Sequence, residues 1–321
     1  MMVPRALGGW MPTGSSPIPG SASYNVARGN VHISMSAKAN ELFTTYTAKA
    51  PPESGRLFGR CWDIVEQARR ATVPNAEEDA SAFDGALDAF VTSGPDDVNL
   101  VPEVERELLA ALADTAASYH VLSDDKRLSW GTCYRTLNAP LGAFYCGLSL
   151  WPRTSVDVPN FTLYFGSGSA VDPSRVFMRL ECTPRVDTDT DASYAEKYYA
   201  PFNERFFTFL ERGDVFEPYV SDSAYERGAL SPSGVRVFFE NNEDNWRLVA
   251  DAVLEQAAQW ASFVDTAPEL QPYDTANMAR RDALVRRVAA ENSPDNSNRQ
   301  RVFGAQAFTR TQALLMGNLD M

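Results

Sequence analysis

Only two histidines, His32 and His120, occur among the 321 residues. Proton transfer must therefore fall to Asp, Glu, Tyr or Cys, and a histidine-based triad or multi-histidine metal site is all but excluded. His120, expected at a helix end, reads as a capping or surface residue. The chain has no G-x-G-x-x-G, no Walker A loop, no G-x-S-x-G elbow and no H-E-x-x-H. More informative is the parity of two neighbouring segments. Tyr164 points away from the side carrying Phe161, Leu163 and Phe165, and Arg179 and Glu181 share one side of the next segment. Paired as strands, these segments would gather Tyr164, Arg179 and Glu181 into a polar cluster. Arg179 would hold a substrate carboxylate and Tyr164 or Glu181 would move protons. The same three residues could equally form an ordinary salt-bridged sheet face.

The elements that would position this cluster can be read from periodicity. Phe144, Cys146, Leu148 and Leu150 alternate with Tyr145, Gly147, Ser149 and Trp151. The same period-two pattern runs through 161–166 and 176–182, which predicts strands. Gly166-Ser-Gly168-Ser and Val171-Asp-Pro173 supply a turn, so the last two should form an antiparallel hairpin. Residues 133–137 and 235–240 are expected as further strands. Helical spacing marks 37–70, 194–211, 245–263, 274–290 and 305–316, the last two joined by the polar segment 291–299. A short helix is expected over 83–90. A strong helix should begin near Pro102, with Glu103 and Glu105 in its first turns and Leu108, Leu109, Leu112 and Ala116 on one stripe. Strands grouped mid-chain between helices indicate an α+β fold, an α/β/α sandwich around a central antiparallel sheet. The expected organisation is a flexible tail over 1–36 and a single domain over 37–321.

Composition narrows the partners. Hydrophobic residues make up 44% of the chain and aromatic residues 11%, enough for a packed core. A net charge of −13 disfavours nucleic acid, which demands Lys and Arg in excess. No apolar run is long enough for a membrane helix, and 1–30 lacks the apolar region of a signal peptide, so a cytoplasmic protein is expected. Cys61, Cys133, Cys146 and Cys182 lie far apart without C-x-x-C spacing and read as reduced thiols.

A set of local motifs then follows in fixed order. Val158-Pro-Asn-Phe161 enters a strand, and Glu181 sits late in the aliphatic strand after it. Ser193-Tyr-Ala-Glu-Lys-Tyr-Tyr199, Glu217-Pro-Tyr-Val-Ser221 and Leu230-Ser-Pro-Ser233 come next, with Arg280-Arg-Asp282 and Val302-Phe-Gly304 near the end. Over roughly residues 120–317 this collinear set resembles red chlorophyll catabolite reductase, of the ferredoxin-dependent bilin reductase superfamily. The resemblance implies an α/β/α sandwich with an open-chain tetrapyrrole held between the sheet and the C-terminal helices. It further implies single electrons from reduced ferredoxin, no bound metal or flavin, and carboxylic acids that protonate the substrate. A flat conjugated substrate suits an aromatic slot with few convergent polar groups.

The chain departs from that pattern at the chemistry. The position three residues after the Phe of the Pro-x-Phe strand, an acid in the family, is Tyr164. The second family acid corresponds to Ser293, or after a small shift to Asp295. Tyrosine can donate a proton, but its reference pKa of about 10 makes it a weaker acid than a carboxyl. The candidate catalytic residues are accordingly Tyr164, Glu181 and Asp295, and the candidate substrate contacts are Arg179, Phe161, Ser293 and Ser231. The arginines of the C-terminal segment (280, 281, 286, 287, 299, 301 and 310) could form a docking patch for ferredoxin, or ordinary solvated helix faces. Three functions follow from the resemblance: a ferredoxin-fed reductase of a linear tetrapyrrole or similar substrate, a non-redox cyclase or isomerase on the same fold, and a pigment-binding protein without catalysis.

Overall fold

The structure is a computed structural model that describes residues 37–78, 90–91, 114–167, 174–293 and 296–317. The expected tail over 1–36 lies outside the described residues. Among the described residues, nine strands form one antiparallel sheet. They are β1 (Glu77–Glu78), β2 (Phe90–Val91), β3 (Thr115–Ser123), β4 (Leu128–Asn138), β5 (Phe144–Pro152), β6 (Asn160–Ser167), β7 (Arg175–Thr183), β8 (Phe216–Pro218) and β9 (Val235–Glu240). Strands β3 to β7 pair in chain order as a meander; β9 then adds to β7 and β8 to β9, while β1 and β2 both pair with β3. The expected β6–β7 hairpin is present, with Tyr164 opposite Arg179.

Period-two burial splits the sheet into two unlike faces. Leu148, Leu150, Phe161, Leu163, Phe165, Met178 and Leu180 are fully buried on one of them. They meet α1 (Ala37–Lys49), α2 (Pro52–Thr72) and the long α6 (Glu243–Thr266) in the main core. Burying each such side chain contributes about 1.5–3 kcal/mol. Trp260 of α6 packs its ring 6.0 Å from Phe161 and donates its indole N–H to the Pro159 carbonyl at 2.8 Å. Asn242 caps α6, its side chain accepting from the backbone N–H of Asn245, and Glu243 and Asp244 suit the positive helix start. The aromatic run after β7 breaks into α3 (Ala192–Tyr199), a 3₁₀ turn (Ala200–Phe202) and α4 (Asn203–Glu211), because Pro201 cannot sit inside a continuous helix. Tyr198, Tyr199 and Phe202 join the main core; Phe207 is exposed. A five-residue helix, α5 (Ala224–Gly228), follows β8.

The other sheet face is covered by α7 (Pro272–Glu291) and α8 (Asn296–Met316). Phe303 and Leu314 of α8 meet Ala117, Tyr119 and Val121 of β3 in a second, smaller cluster. Helix α7 is fixed by a buried ion pair. The Arg185 guanidinium grips both oxygens of Asp282 at 3.1 and 2.5 Å and donates to the Val156 carbonyl at 2.8 Å. Within α8, Gly304 adopts φ 74° and ψ 165°, conformational space open essentially to glycine alone, and the helix kinks there.

Several expectations change. The segment 37–70 is two helices, parted at Pro51 and Pro52, with Pro52 opening α2. Of the helix expected from Pro102 onward, Ala116 lies instead in β3 paired with Leu137, and 102–113 fall outside the described residues. Strand β3 is buried on both faces, so its sequence shows no polar alternation and was not expected as a strand. His120 is therefore a buried strand residue, with a ring nitrogen 2.5 Å from Ser118 Oγ, and not a helix cap. Phe90, expected in a short helix, pairs with Ala117 in the sheet, and 83–89 lie outside the described residues. The last helix begins at Asn296, well before 305. All four cysteines are buried, and none of them forms a disulfide.

Candidate active site

Between the second sheet face and α7–α8 runs a cleft made of two adjoining cavities of about 230 and 390 Å³. Both are bounded by Tyr134, Arg179, Glu226, Arg236, Ser293 and Arg299. A cleft of this size suits a ligand of several rings. Its floor is aromatic because every second residue of six adjacent strands, β3 to β7 and β9, points into it. Tyr119 stacks on Tyr134 at 5.6 Å and Tyr145 on Tyr164 at 6.2 Å. Tyr164 then meets Phe177 edge-on at 5.7 Å, and Phe177 meets Tyr219 at 5.1 Å and Phe238 at 5.5 Å. Gly147 makes room for this layer: a Cβ there would lie 2.7 Å from both the Tyr134 hydroxyl and the Leu163 carbonyl. Burial pushes the Tyr119 and Tyr134 phenols above the ordinary tyrosine value, against an opposing pull from Arg299. The hydroxyls of Tyr119 and Tyr145 hydrogen-bond at 2.7 Å.

Four guanidiniums line this aromatic floor. Arg179 and Arg236 face each other across β7 and β9, a like-charge pair that would be unfavourable alone. Glu181, fully buried, resolves it: Arg179 donates to one carboxylate oxygen at 2.8 Å and Arg236 to the other at 2.5 Å. Burial opposes the charge on Arg179, but Glu181, with help from Glu226, holds its pKa above the ordinary arginine value. Arg286 of α7 lies 5.1 Å over the Trp151 ring and Arg299 of α8 5.8 Å over that of Tyr145. Glu226 supplies the only carboxyl group among the described residues lining the cleft. Its Oε2 accepts from Ser221 Oγ at 2.6 Å, and its backbone carbonyl accepts from Arg236 at 3.2 Å.

The sequence-derived candidates divide. Tyr164, Arg179 and Ser293 line the cleft. Glu181 sits beside them but below the surface, fully buried with both oxygens occupied by arginines. Phe161 faces the main core against Trp260, as its odd parity on β6 requires, and leaves the list of substrate contacts. Ser231 is buried in the turn before β9, where its carbonyl accepts from Gly234, and is not among the cleft-lining residues. Asp295 lies outside the described residues. Of the C-terminal arginines, Arg286 and Arg299 turn inward, Arg281 donates to the Pro184 carbonyl at 3.0 Å, and Arg280 and Arg287 are exposed. Sequence reasoning missed Arg236, Asn160 and Glu226. Arg236 carried a signal, since its parity in 235–240 sets it apart from buried Val235 and Val237. Glu226 carried none, because only the tertiary fold brings α5 over the sheet.

Among the described residues no helix is long and apolar enough to cross a membrane, and no three His, Cys, Asp or Glu side chains form a metal-binding group. A model of the red chlorophyll catabolite reductase family matches residues 141–315, more than half of the chain. No curated protein sequence matches. Among solved structures, phytochromobilin synthase from tomato, crystallised in complex with biliverdin, is similar at a TM-score of 0.59 and 13% identity, over 80% of this chain and 81% of that one.

Proposed function

The chain belongs to the red chlorophyll catabolite reductase family, and from that premise we propose that it reduces a linear tetrapyrrole with electrons delivered singly by ferredoxin. One observation carries the reading: the cleft pairs a continuous aromatic floor with four guanidiniums, the surface that a flat conjugated molecule bearing carboxylates requires. Reducing one double bond of such a substrate takes two electrons, one at a time, and two protons. The pigment lies along the floor, and Arg179, steadied by Glu181, pairs with a substrate carboxylate. Tyr164, at the family's first acid position, donates a proton into the conjugated system, and Ser293 contacts the substrate from the α7–α8 side. Asp295, at the alternative second acid position, supplies the other proton. The fold holds the pigment itself as its chromophore and needs no metal or flavin of its own. A reducing compartment such as the cytoplasm suits the four cysteines, none of which forms a disulfide.

The test is a visible absorption titration of the purified protein with biliverdin, before and after addition of reduced ferredoxin. A shifted spectrum that bleaches only with the reductant is the expected result. A shift without bleaching, under conditions where a related reductase turns over, overturns the redox reading and leaves a pigment-binding protein.

A further inference from the structure

The cleft holds buried polar atoms that no protein group satisfies, and their chemistry is lopsided. Trp130 Nε1, Arg179 Nε, Arg236 Nη2, Arg286 Nη1 and Asn160 Nδ2 are donors without a partner; Asn160 Oδ1 is the one acceptor without a partner among these lining residues. Buried polar atoms left unpaired cost folding free energy and are uncommon in native proteins, so a group of them around one cleft marks what a ligand supplies. The donors ask for several acceptor oxygens. Asn160 asks for something narrower. Its side chain is 2% exposed at the start of β6, opposite Thr183, and neither end of its carboxamide finds a protein partner. A carboxamide offers one donor beside one acceptor in a plane. Its complement is another cis amide, which presents C=O and N–H side by side. Asn160 and Tyr164 point to the same face four residues apart, about 13 Å along the strand at about 3.3 Å per residue.

We propose that Asn160 is a specificity-determining residue that reads the lactam of a terminal ring of the tetrapyrrole, through a paired N–H···O and C=O···H–N contact. This rests on the tetrapyrrole reading above and deepens it, by placing a terminal ring of the pigment at the Asn160 end of the cleft. It also separates Asn160 from a structural asparagine. Replacing an asparagine that holds the fold together lowers stability, whereas removing two unsatisfied buried groups relieves a cost.

The experiment compares wild type, Asn160→Leu and Asn160→Asp by thermal melting and by absorption titration with biliverdin and with a biliverdin whose terminal lactams are O-methylated. In the lactim ether the N–H is gone and the oxygen is blocked. The expected result is that Asn160→Leu melts no lower than wild type, and by about 2–4 °C higher if the full cost is relieved. It should bind biliverdin roughly 10–100-fold more weakly, matching the loss of two hydrogen bonds. Wild type should prefer biliverdin over the ether by a similar factor, and the leucine variant should show no preference. Asn160→Asp, which keeps an acceptor and loses the amide donor, should fall between them. Equal biliverdin binding by wild type and Asn160→Leu overturns the inference and leaves the tetrapyrrole reading standing. So does a clear drop in melting temperature for Asn160→Leu, which would make the residue structural. A wild type that binds neither pigment overturns the tetrapyrrole reading, and this inference with it.

Discussion

At the scale of single residues, the central question is which group delivers protons in the proposed reduction, given that the family resemblance puts Tyr164 at the first acid position and Ser293 or Asp295 at the second. Tyr164→Phe keeps the ring that stacks on Tyr145 and removes only the hydroxyl. If Tyr164 is the donor, turnover should fall by about 10²-fold or more with pigment affinity little changed, as expected for loss of general acid catalysis. Single-turnover bleaching under saturating ferredoxin measures this directly. Glu226→Gln is the informative companion, because Glu226 is the only carboxyl among the described lining residues. Full activity in Tyr164→Phe together with a comparable loss in Glu226→Gln would move the acid from β6 to α5. The residue scale is also where sequence reasoning went furthest and where it stopped. Parity placed Tyr164 and Arg179 on one face because two-residue periodicity is a local property of an extended chain. It could not reveal that Glu181 is buried between two arginines, since Arg236 arrives from a strand 55 residues further on.

At the scale of elements, α7 and α8 form the cleft's second wall, and each is held by one unusual feature. Helix α7 depends on the Arg185–Asp282 pair, whose side chains are 0% and 1% exposed. Asp282→Ala leaves a buried guanidinium without its counter-charge and should destabilise the protein by about 3–5 kcal/mol in urea unfolding. The double replacement Arg185→Met with Asp282→Leu should cost much less, because no charge is then stranded. Helix α8 depends on Gly304. A methyl group there would meet nothing within 4 Å, so the penalty of Gly304→Ala comes from the backbone alone and should be about 1–3 kcal/mol. A melt unchanged by that substitution would show that the kink can be straightened without loss. These elements also explain what the sequence disclosed. Strands β5, β6 and β7 alternate clearly because one side meets the apolar core and the other a polar, aromatic cleft. Strand β3 is covered on both sides and takes Ser118 and His120 into its buried face as a mutually bonded pair, so no alternation marks it. Proline explains the rest, breaking 37–70 and 194–211 where helical spacing alone suggested continuity.

At the scale of the molecule, buried phenols set an alkaline limit. Tyr119, Tyr134, Tyr194, Tyr198 and Tyr199 are all shifted above the ordinary tyrosine value, chiefly by burial. Tyr46, which donates a 2.6 Å hydrogen bond to Asp114, is pushed up to about 12. A phenol with a raised folded-state pKa holds its proton more tightly folded than unfolded. Its contribution is therefore complete below the unfolded value of about 10 and is lost as pH climbs through the folded value. Stability should fall steeply above pH of about 10, and phenolate absorbance should appear together with the loss of far-ultraviolet circular dichroism. Phenolate appearing well before any loss of secondary structure would contradict this.

The cleft's two walls also differ in when they are made. Everything that builds the sheet and its main core, from α1 through α6, is complete by Thr266, and α7 and α8 follow. A ribosome therefore releases the sheet and its first layer before the helices that cover the tyrosine-rich face. A nascent chain arrested with α6 just outside the exit tunnel should already protect the Phe161–Trp260 side from protease, while its tyrosine-rich side is still open to chaperones or to free pigment. The cleft is then the last part of the described chain to be synthesised in full, and an error late in translation spares the sheet and its main core while costing the cleft its second wall.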